Sequence, residues 1–559
     1  MSEARDAADR LGPATSATGV ELTIAQWHAP VSGWSGRLGP VRALVSHSVR
    51  LPPDGVGPAT VAVEVAEPAP VQALVAAALA ALEPARLLPA GLTAEVAIDG
   101  DPPPWLGAVT RASTGEAPTP PPDVRLAPRM PAGGDPAHSP EQPAPAAVTS
   151  RYGLLVDDAP RVLLDISRDN PIGRASMGHD LPAGTLRLAS PPGGEVIWRV
   201  TAARDEARVL VEGRAGDPLT EAQRAALARL GMLHHVPDGC EALPHAAVLA
   251  QLCTTGVVVR APDLPPQTAA LLSPELAGII TSPAPDAATD PVQWEISSIA
   301  QRRAAMRGHD AALVRTPATL ATGLPTVTAV VVSRRPHYVP RVLEYLAAQT
   351  YPRLEVVLAM HGVDLDAPAQ AAVDSLTLPV QTLALPADLN LGQALAEATL
   401  LARGSLLTKV DDDDRYGPEH VWDLVLARRY SGATLVGKIA EFVHLATHEV
   451  TVRRRMTSEI YTTTVAGGTI LISRGDLEDL GGWRPVPRSV DRALLDRVRR
   501  ANGLIYQTHG FGYIYTRHGE GHTWDPGVAY FLTDPVGKWP GLPPYAEFEA
   551  RTDGVSARA

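Results

Sequence analysis

The pattern of apolar positions changes character near residue 325. TVTAVVVS (326–333) is almost continuously apolar, YVPRVLEYLAAQ (338–349) is amphipathic at helical spacing, and LEVVLAMHG (354–362) is apolar again. VQTLALP (380–386), the helical LGQALAEATLLA (391–402) and SLLTKV (405–410) carry the alternation onward. Continuous apolar runs of this length suit strands buried on both faces, and their alternation with helices predicts an open α/β sheet. In such sheets ligands sit at the carboxyl ends of the strands. Ser333, His361 and Asp411–Asp414 fall there by this count.

Upstream the pattern is less regular. Alternating runs at 59–66 and 92–98 and a helical run at 70–88 predict a small α+β or strand-rich domain over 1–111. A Pro/Ala-rich linker follows at 112–148. Short runs such as RVLLDI, TLRLA and EVIWRV predict a strand-rich domain over 149–218. LTEAQRAALARLGML (219–233), with Thr220 as N-cap, and ALPHAAVLAQLCTTG (242–256) predict a helical connecting region over 219–324. The alternating domain then fills 325–535, and 536–559 is a tail. His234, His235 and His245 are too loosely placed to read as ligands.

Composition narrows the function. The chain has 559 residues and a hydrophobic share of 45%, enough for several domains with real cores. A net charge of -12 argues against a nucleic-acid binder. Two cysteines, Cys240 and Cys253, make no disulfide framework and no thiolate metal site. The charged N-terminus is unlike a secretory leader, and no apolar run reaches the ~18 residues of a membrane span. The expected location is the cytoplasm, including a peripheral position at the inner face of the membrane. Lysines are few: Lys409, Lys438 and Lys538.

The chemistry concentrates in KVDDDDRYGP (409–418). Four adjacent carboxylates repel one another and call for a compensating cation, for which a divalent metal carrying a phosphate is a natural candidate. The plainer alternative is an acidic turn. If the backbone stays extended, Asp411 and Asp413 project alike. Pro418 suits the first turn of the helix that EHVWDLVLARRY (419–430) predicts. Lys409 either damps the repulsion, touches a phosphate or is a strand-edge lysine.

Residues 326–525 resemble a family 2 glycosyltransferase of the GT-A fold, in an actinobacterial-type multidomain form. The resemblance rests on VVVSRRPHYVPRVLEYLAAQTYPRLEVVLA (330–359), NLGQALAEATLLARGSLLTKVDDDDRYGPEH (390–420), TTTVAGGTILISRGDLEDLGGW (462–483) and SVDRALLDRVRRANG (489–503), which stand in the family's order. It implies an open mixed sheet with helices on both faces and a metal-dependent, inverting transfer of a sugar from a nucleotide-diphosphate sugar to a hydroxyl. By position it implies that Ser333, Arg334 and Arg335 line the nucleotide, with Lys409 and Asp412 beside it. Asp411 would face nucleotide or sugar, Asp413 would bind Mn2+ or Mg2+, and Asp414 would support them. Gly467 and Gly468 would lie by the donor sugar, and Trp483 would wall the acceptor or belong to the core. Asp491 would be the general base, a helix cap being the alternative. His522 would complete the metal shell, with His518 the other candidate.

The chain departs from the family after the second strand, where AMHGVD (359–364) offers His361 in place of an acidic residue. This leaves the nucleotide open; UDP-sugars are favoured, with GDP- and TDP-sugars as alternatives. The acceptor expected is a glycan, a lipid-linked saccharide or a small natural product. Arg453–Arg455 either steady the leaving phosphate or face water. Two rival readings are a nucleotidyl or pyrophosphate enzyme with similar carboxylates, and a non-catalytic sugar-binding protein.

Overall fold

The computed structural model describes strands between residues 16 and 156 and then residues 159–549, except 165, 175–179, 191–194, 218, 238, 311–323, 502 and 519–526. The chain divides into two compact units. The first is Met1–Pro143 with Ser473–Gly482 and Arg500–Gly503. Its sheet runs Leu44–Arg50, Ala59–Pro70, Ser16–Ile24, Ala94–Ile98 and Val124–Pro128, antiparallel except for the last pair. Both strands expected at 59–66 and 92–98 are there, while the helix expected at 70–88 falls outside the described residues. Within the Pro/Ala-rich stretch, Val124–Pro128 is a strand.

The second unit holds the remainder of the chain. In its first part, Asp205–Arg214, Ile197–Ala202 and Ala183–Ala189 pair antiparallel. Met232–His235 and Val258–Arg260 then add in parallel, so one five-stranded sheet spans both sides of residue 218. Trp198, Leu186 and Leu233 are in its core with Leu249 and Leu252 of the helix Ala242–Thr254. Thr220 caps its helix as the sequence predicts: its Oγ1 accepts from Gln223 N at 3.2 Å while Thr220 N donates to Gln223 Oε1 at 2.7 Å.

The second part of this unit is an α/β domain on an open, mixed sheet. Its strands are β1 (Val327–Ser333), β2 (Leu354–His361), β3 (Val380–Leu385), β4 (Leu406–Val410), β5 (Leu435–Gly437), β6 (Ile460–Thr462), β7 (Leu471–Ser473) and β8 (Ile505–Gln507). They lie in the order β3-β2-β1-β4-β7-β5-β8-β6. The first four are parallel, β7 runs antiparallel to β5, and β6 antiparallel to β8. All residues of β2 and β4 are buried, which explains their unbroken apolar text. Helices α1 (Val339–Ala347), α2 (Ala367–Ser375), α3 (Leu391–Leu401), α4 (His420–Ser431) and α5 (Val490–Arg500) complete the domain.

The strand order places the site. β1 pairs with β2 on one side and with β4 on the other, in register from Val327 with Leu354 and Leu406. The chain order therefore reverses between β1 and β4, and the carboxyl ends of these two strands flank the crevice where open α/β sheets bind ligands. Ser333 ends β1 and Val410 ends β4. A second sheet braces the acidic loop: Arg415–Tyr416 pairs with Tyr513–Arg517, beyond which lie Phe442–Leu445, Val450–Arg453 and Gly537–Pro540. Pro418 lies just before the Glu419 cap of α4 rather than inside its first turn.

The two parts of the second unit are joined by the helix Pro291–His309. It packs on Ala242–Thr254 and sends arginines into the α/β domain. Arg302 Nη2 lies 2.5 Å from Glu459 Oε1, Arg303 reaches Asp423 at 2.9 Å and Glu547 at 2.8 Å, and Arg307 Nη1 reaches Glu419 at 2.8 Å. Asp423 also accepts from Lys438 Nζ at 2.8 Å.

Candidate active site

The chain leaves the sheet at Val410 and residues 412–414 turn. Side-chain alternation therefore ends there, and Asp411 and Asp413 do not project together as an extended backbone would require. Each aspartate has a different partner. Asp411 Oδ1 accepts from Lys409 Nζ at 2.5 Å. Asp412 accepts from Ser333 Oγ and from the Arg335 guanidinium, with Nε at 3.2 Å. Asp413 Oδ2 accepts from Arg335 Nη1 at 2.9 Å, and its carbonyl accepts from Arg341 at 3.1 Å. Asp414 is buried and accepts from Tyr513 OH at 2.6 Å and from Thr516 N at 2.9 Å. Burial, reinforced by Asp411 and Asp413, pushes the Asp414 carboxyl well above the usual carboxylate range.

Lys409 is the hub. It is 5% exposed, and its Nζ stands 3.5 Å from Asp491 Oδ1 as well as on Asp411. Burial alone would lower its pKa, but Asp411 and Asp491 outweigh burial and raise it, so the ammonium is retained. In this position Lys409 lies between Asp411 and Asp491 and damps the repulsion of that pair. Asp491 sits in the first turn of α5. Its carboxylate makes no hydrogen bond to that helix among the described residues and turns to Lys409 instead, with a third of the side chain exposed.

The glycine pair forms a floor under these carboxylates. A Cβ on Gly467 would overlap Asp491 Oδ2. One on Gly468 would stand 2.9 Å from Asp411 Oδ2 and 3.0 Å from Asp414 Oδ2. The floor is fixed from below, since Tyr416 OH donates to Gly468 O at 3.0 Å and accepts from Asp411 N at 2.9 Å.

The other candidates are placed as follows. Ser333 Oγ also accepts from Arg335 N at 2.9 Å and thus shapes the loop after β1. Arg334 Nε donates to His361 Nδ1 at 3.1 Å, and His361 Nε2 lies 2.8 Å from Leu389 O, an arrangement that assigns the proton to Nε2. Burial and Arg334 lower the His361 pKa against the opposing pull of Leu389. Trp483 is 6% exposed and donates from Nε1 to Thr399 Oγ1 of α3 at 2.9 Å. His518 Nε2 lies 3.3 Å from Tyr338 OH, beside Arg335 and Arg341, whose guanidiniums sit 4.8 and 4.9 Å from the Tyr338 ring centre. His522 lies outside the described residues. Arg453 points neither to a phosphate nor to water; it is buried between Glu441 at 2.7 Å and Glu295 at 2.8 Å.

Arg341, Tyr338, Tyr416, Tyr513 and Thr516 escaped the sequence reading. Tyr416 had a signal, as an aromatic residue in the turn after the aspartates; the others had none.

The carboxylate oxygens are the right chemical kind for a hard divalent cation. Their arrangement does not fit one as it stands, because Arg335 fills the Asp412–Asp413 pair and Lys409 holds Asp411. Among the described residues no three His, Cys, Asp or Glu side chains are grouped to hold a metal ion.

No protein-family model and no curated protein matches the chain. Among solved structures it is similar to S. aureus TarS 1-349 in complex with UDP-GlcNAc, at 15% identity over 35% of this chain and 60% of that one, TM-score 0.30. It is also similar to the mannosyltransferase PcManGT from Pyrobaculum calidifontis in complex with GDP-Man and Mn2+, at 15% identity over 35% and 58%, TM-score 0.28. The chain spans less than two thirds of either neighbour, and likeness at this level identifies no family.

Proposed function

We propose that this chain transfers a sugar from a nucleotide-diphosphate sugar to a hydroxyl acceptor, with inversion at the anomeric carbon. The observation that carries this reading is the meeting of Asp411 and Asp491 on Lys409, above a floor of two glycines. Two carboxylates from distant parts of the chain share one buried cation, and both rest on glycines where a side chain would displace them. Asp491 Oδ2, the oxygen away from Lys409, takes the acceptor proton. Asp411 orients the sugar from the other side. The missing side chains at Gly467 and Gly468 let Asp491 and Asp411 stand against the backbone, where a methyl group would collide with their carboxylates.

The donor diphosphate lies at the ends of β1 and β4, within reach of Arg335 and Arg341, and Arg334 with His361 shapes the nucleoside end. Guanidiniums suit this task because they bind phosphate through paired N–H groups. The Mn2+ or Mg2+ expected on Asp413 would find that carboxylate already paired with Arg335, so the charge of the departing diphosphate is left to the guanidiniums. A UDP-sugar is the donor favoured, and a glycan, lipid-linked saccharide or small natural product the acceptor.

The test is release of nucleotide diphosphate from UDP-, GDP- and TDP-sugars by the full chain with Mn2+ or Mg2+, compared with Asp491→Asn. Release from one donor, lost in the variant, is expected. Neither release nor binding of any donor would overturn the reading.

A further inference from the structure

A chain of net charge -12 carries the opposite balance around the proposed base. Between 484 and 499 stand five arginines, Arg484, Arg488, Arg492, Arg497 and Arg499, against two aspartates, Asp491 and Asp496. Asp496 is taken up by Arg492 at 3.2 Å and by Arg499 at 3.4 Å. Asp491 turns to Lys409. Arg484 and Arg488 are exposed and make no ion pair among the described residues.

The loop that carries these two arginines is fixed. Pro485 and Pro487 set their own φ and restrict the residues before them. The loop is clamped on α3 at two points: Trp483 Nε1 donates to Thr399 Oγ1 at 2.9 Å, and Gly392 N donates to Val486 O at 3.2 Å. A Cβ on Gly392 would overlap Arg484 O, so this close approach needs the glycine. Ser489 then turns the chain at φ 59° into α5, and Asp491 follows in its first turn. Three residues of chain put Arg488 within about 10 Å of Asp491. Arg484 stands near enough to Arg497 of α5 to add to burial in lowering its pKa.

Partnerless side chains on a fixed backbone are open to an incoming anion, and guanidiniums take phosphates and carboxylates through paired N–H groups. Asp491 itself repels an anion. The charges of such a ligand therefore belong on the loop, with an uncharged hydroxyl facing the base. We propose that the loop 484–488 receives an acceptor glycan bearing repeated anionic groups, whose phosphates or carboxylates rest on Arg484 and Arg488 while a hydroxyl meets Asp491. The inference rests on the transferase reading above and names the class of its acceptor.

The test is binding of fluorescently labelled polymers to the full chain, with no donor present: a linear polyphosphate, a polygalacturonate and neutral dextran. At least one anionic polymer is expected to bind, and which one separates phosphate from carboxylate; dextran is expected not to bind. Arg484→Gln combined with Arg488→Gln is expected to weaken that binding by about 10-fold or more. The corresponding pair of Lys variants, which keep the charge and lose the fork, is expected to weaken it less and decides the matter if the Gln pair does not fold. Arg492→Gln combined with Arg499→Gln, which removes the arginines engaged with Asp496, is expected to change it by less than about 3-fold. No binding of either anionic polymer, dextran binding as tightly, or equal losses in the two Gln pairs would overturn the proposal. Donor binding to the wild type is measured apart. Its absence beside intact polymer binding would remove the transferase reading; its presence without polymer binding would remove only the acceptor class.

Discussion

Gly467 and Asp491 are packed so closely that no side chain fits between them; a Cβ on Gly467 would overlap Asp491 Oδ2. The glycine thereby sets where the carboxylate can stand. Gly467→Ala should push it aside, and a displacement of about 1 Å at a reacting group lowers a rate by about 100-fold. Nucleotide diphosphate release should fall by that order while donor affinity, measured by calorimetry, stays within a few-fold. An unchanged rate would remove Asp491 from the role of base.

Lys409 keeps Asp411 and Asp491 from facing each other uncompensated. Lys409→Met removes the cation between two carboxylates that are each about a third exposed, and with that solvent screening the loss should be about 1–3 kcal/mol. Urea unfolding should show this loss, and Lys409→Arg should recover part of it. Equal stability of Lys409→Met and wild type would mean that water reaches the pair.

Two buried histidines and one carboxylate should each withdraw stability from the second unit on acidification. Burial pushes the His509 imidazole down to about 4, so folding favours its neutral form. That contribution is complete above the unfolded value, about 6.5, and is lost as pH falls towards 4. His235, buried beside His245 and also lowered to about 4, acts in the same sense. Burial would raise the Asp423 carboxyl, but Arg303 and Lys438 outweigh it and hold the group well below the carboxylate range. Its contribution is complete above about 4 and is lost at more acidic pH. Asp414, raised by burial, acts in the opposite sense, so the measurement is the difference between two proteins rather than one profile. Between about pH 6.5 and pH 4 the melting temperature of His509→Asn should fall less than that of the wild type; equal falls would contradict the assignment.

His361 joins Arg334 to the Leu389 carbonyl. His361→Ala leaves that guanidinium held only by the Ala387 and Leu389 carbonyls and should weaken donor binding by about 10-fold, the worth of one or two hydrogen bonds. The catalytic rate at saturating donor should hold. A loss in rate with unchanged donor affinity would place His361 away from the nucleoside.

The parallel strands were legible because burial on both faces writes itself as an unbroken apolar run, as in LEVVLAMH and LLTKV. The strands Met232–His235 and Val258–Arg260 were hidden by their brevity among helices. Asp411–Asp414, Gly467–Gly468 and Asp491 were legible as residues. Their pairing was not. Arg335 lies 77 and 78 residues from the aspartates it forks, and no local pattern encodes such a contact. The projected alternation of Asp411 and Asp413 failed for a local reason, since the backbone turns directly after Val410. Trp483 was ambiguous in the text because an indole in GGW can line a cleft or fill a core; here it is buried and donates to Thr399 of α3.

The helix Pro291–His309 has a consequence for anyone who would cut this protein into parts. A fragment beginning near 325 would keep every strand of the eight-stranded sheet and every proposed catalytic group. It would also keep Glu459, Asp423 and Glu547 while losing the arginines that neutralise them. Asp423 would retain Lys438, but Glu459 and Glu547 would lose the arginine paired with each, and a buried carboxylate left without its cation is strongly destabilising. The upstream helix thus serves the α/β domain as part of its own interior, and the smallest portable form of the site extends far ahead of the first strand that builds it.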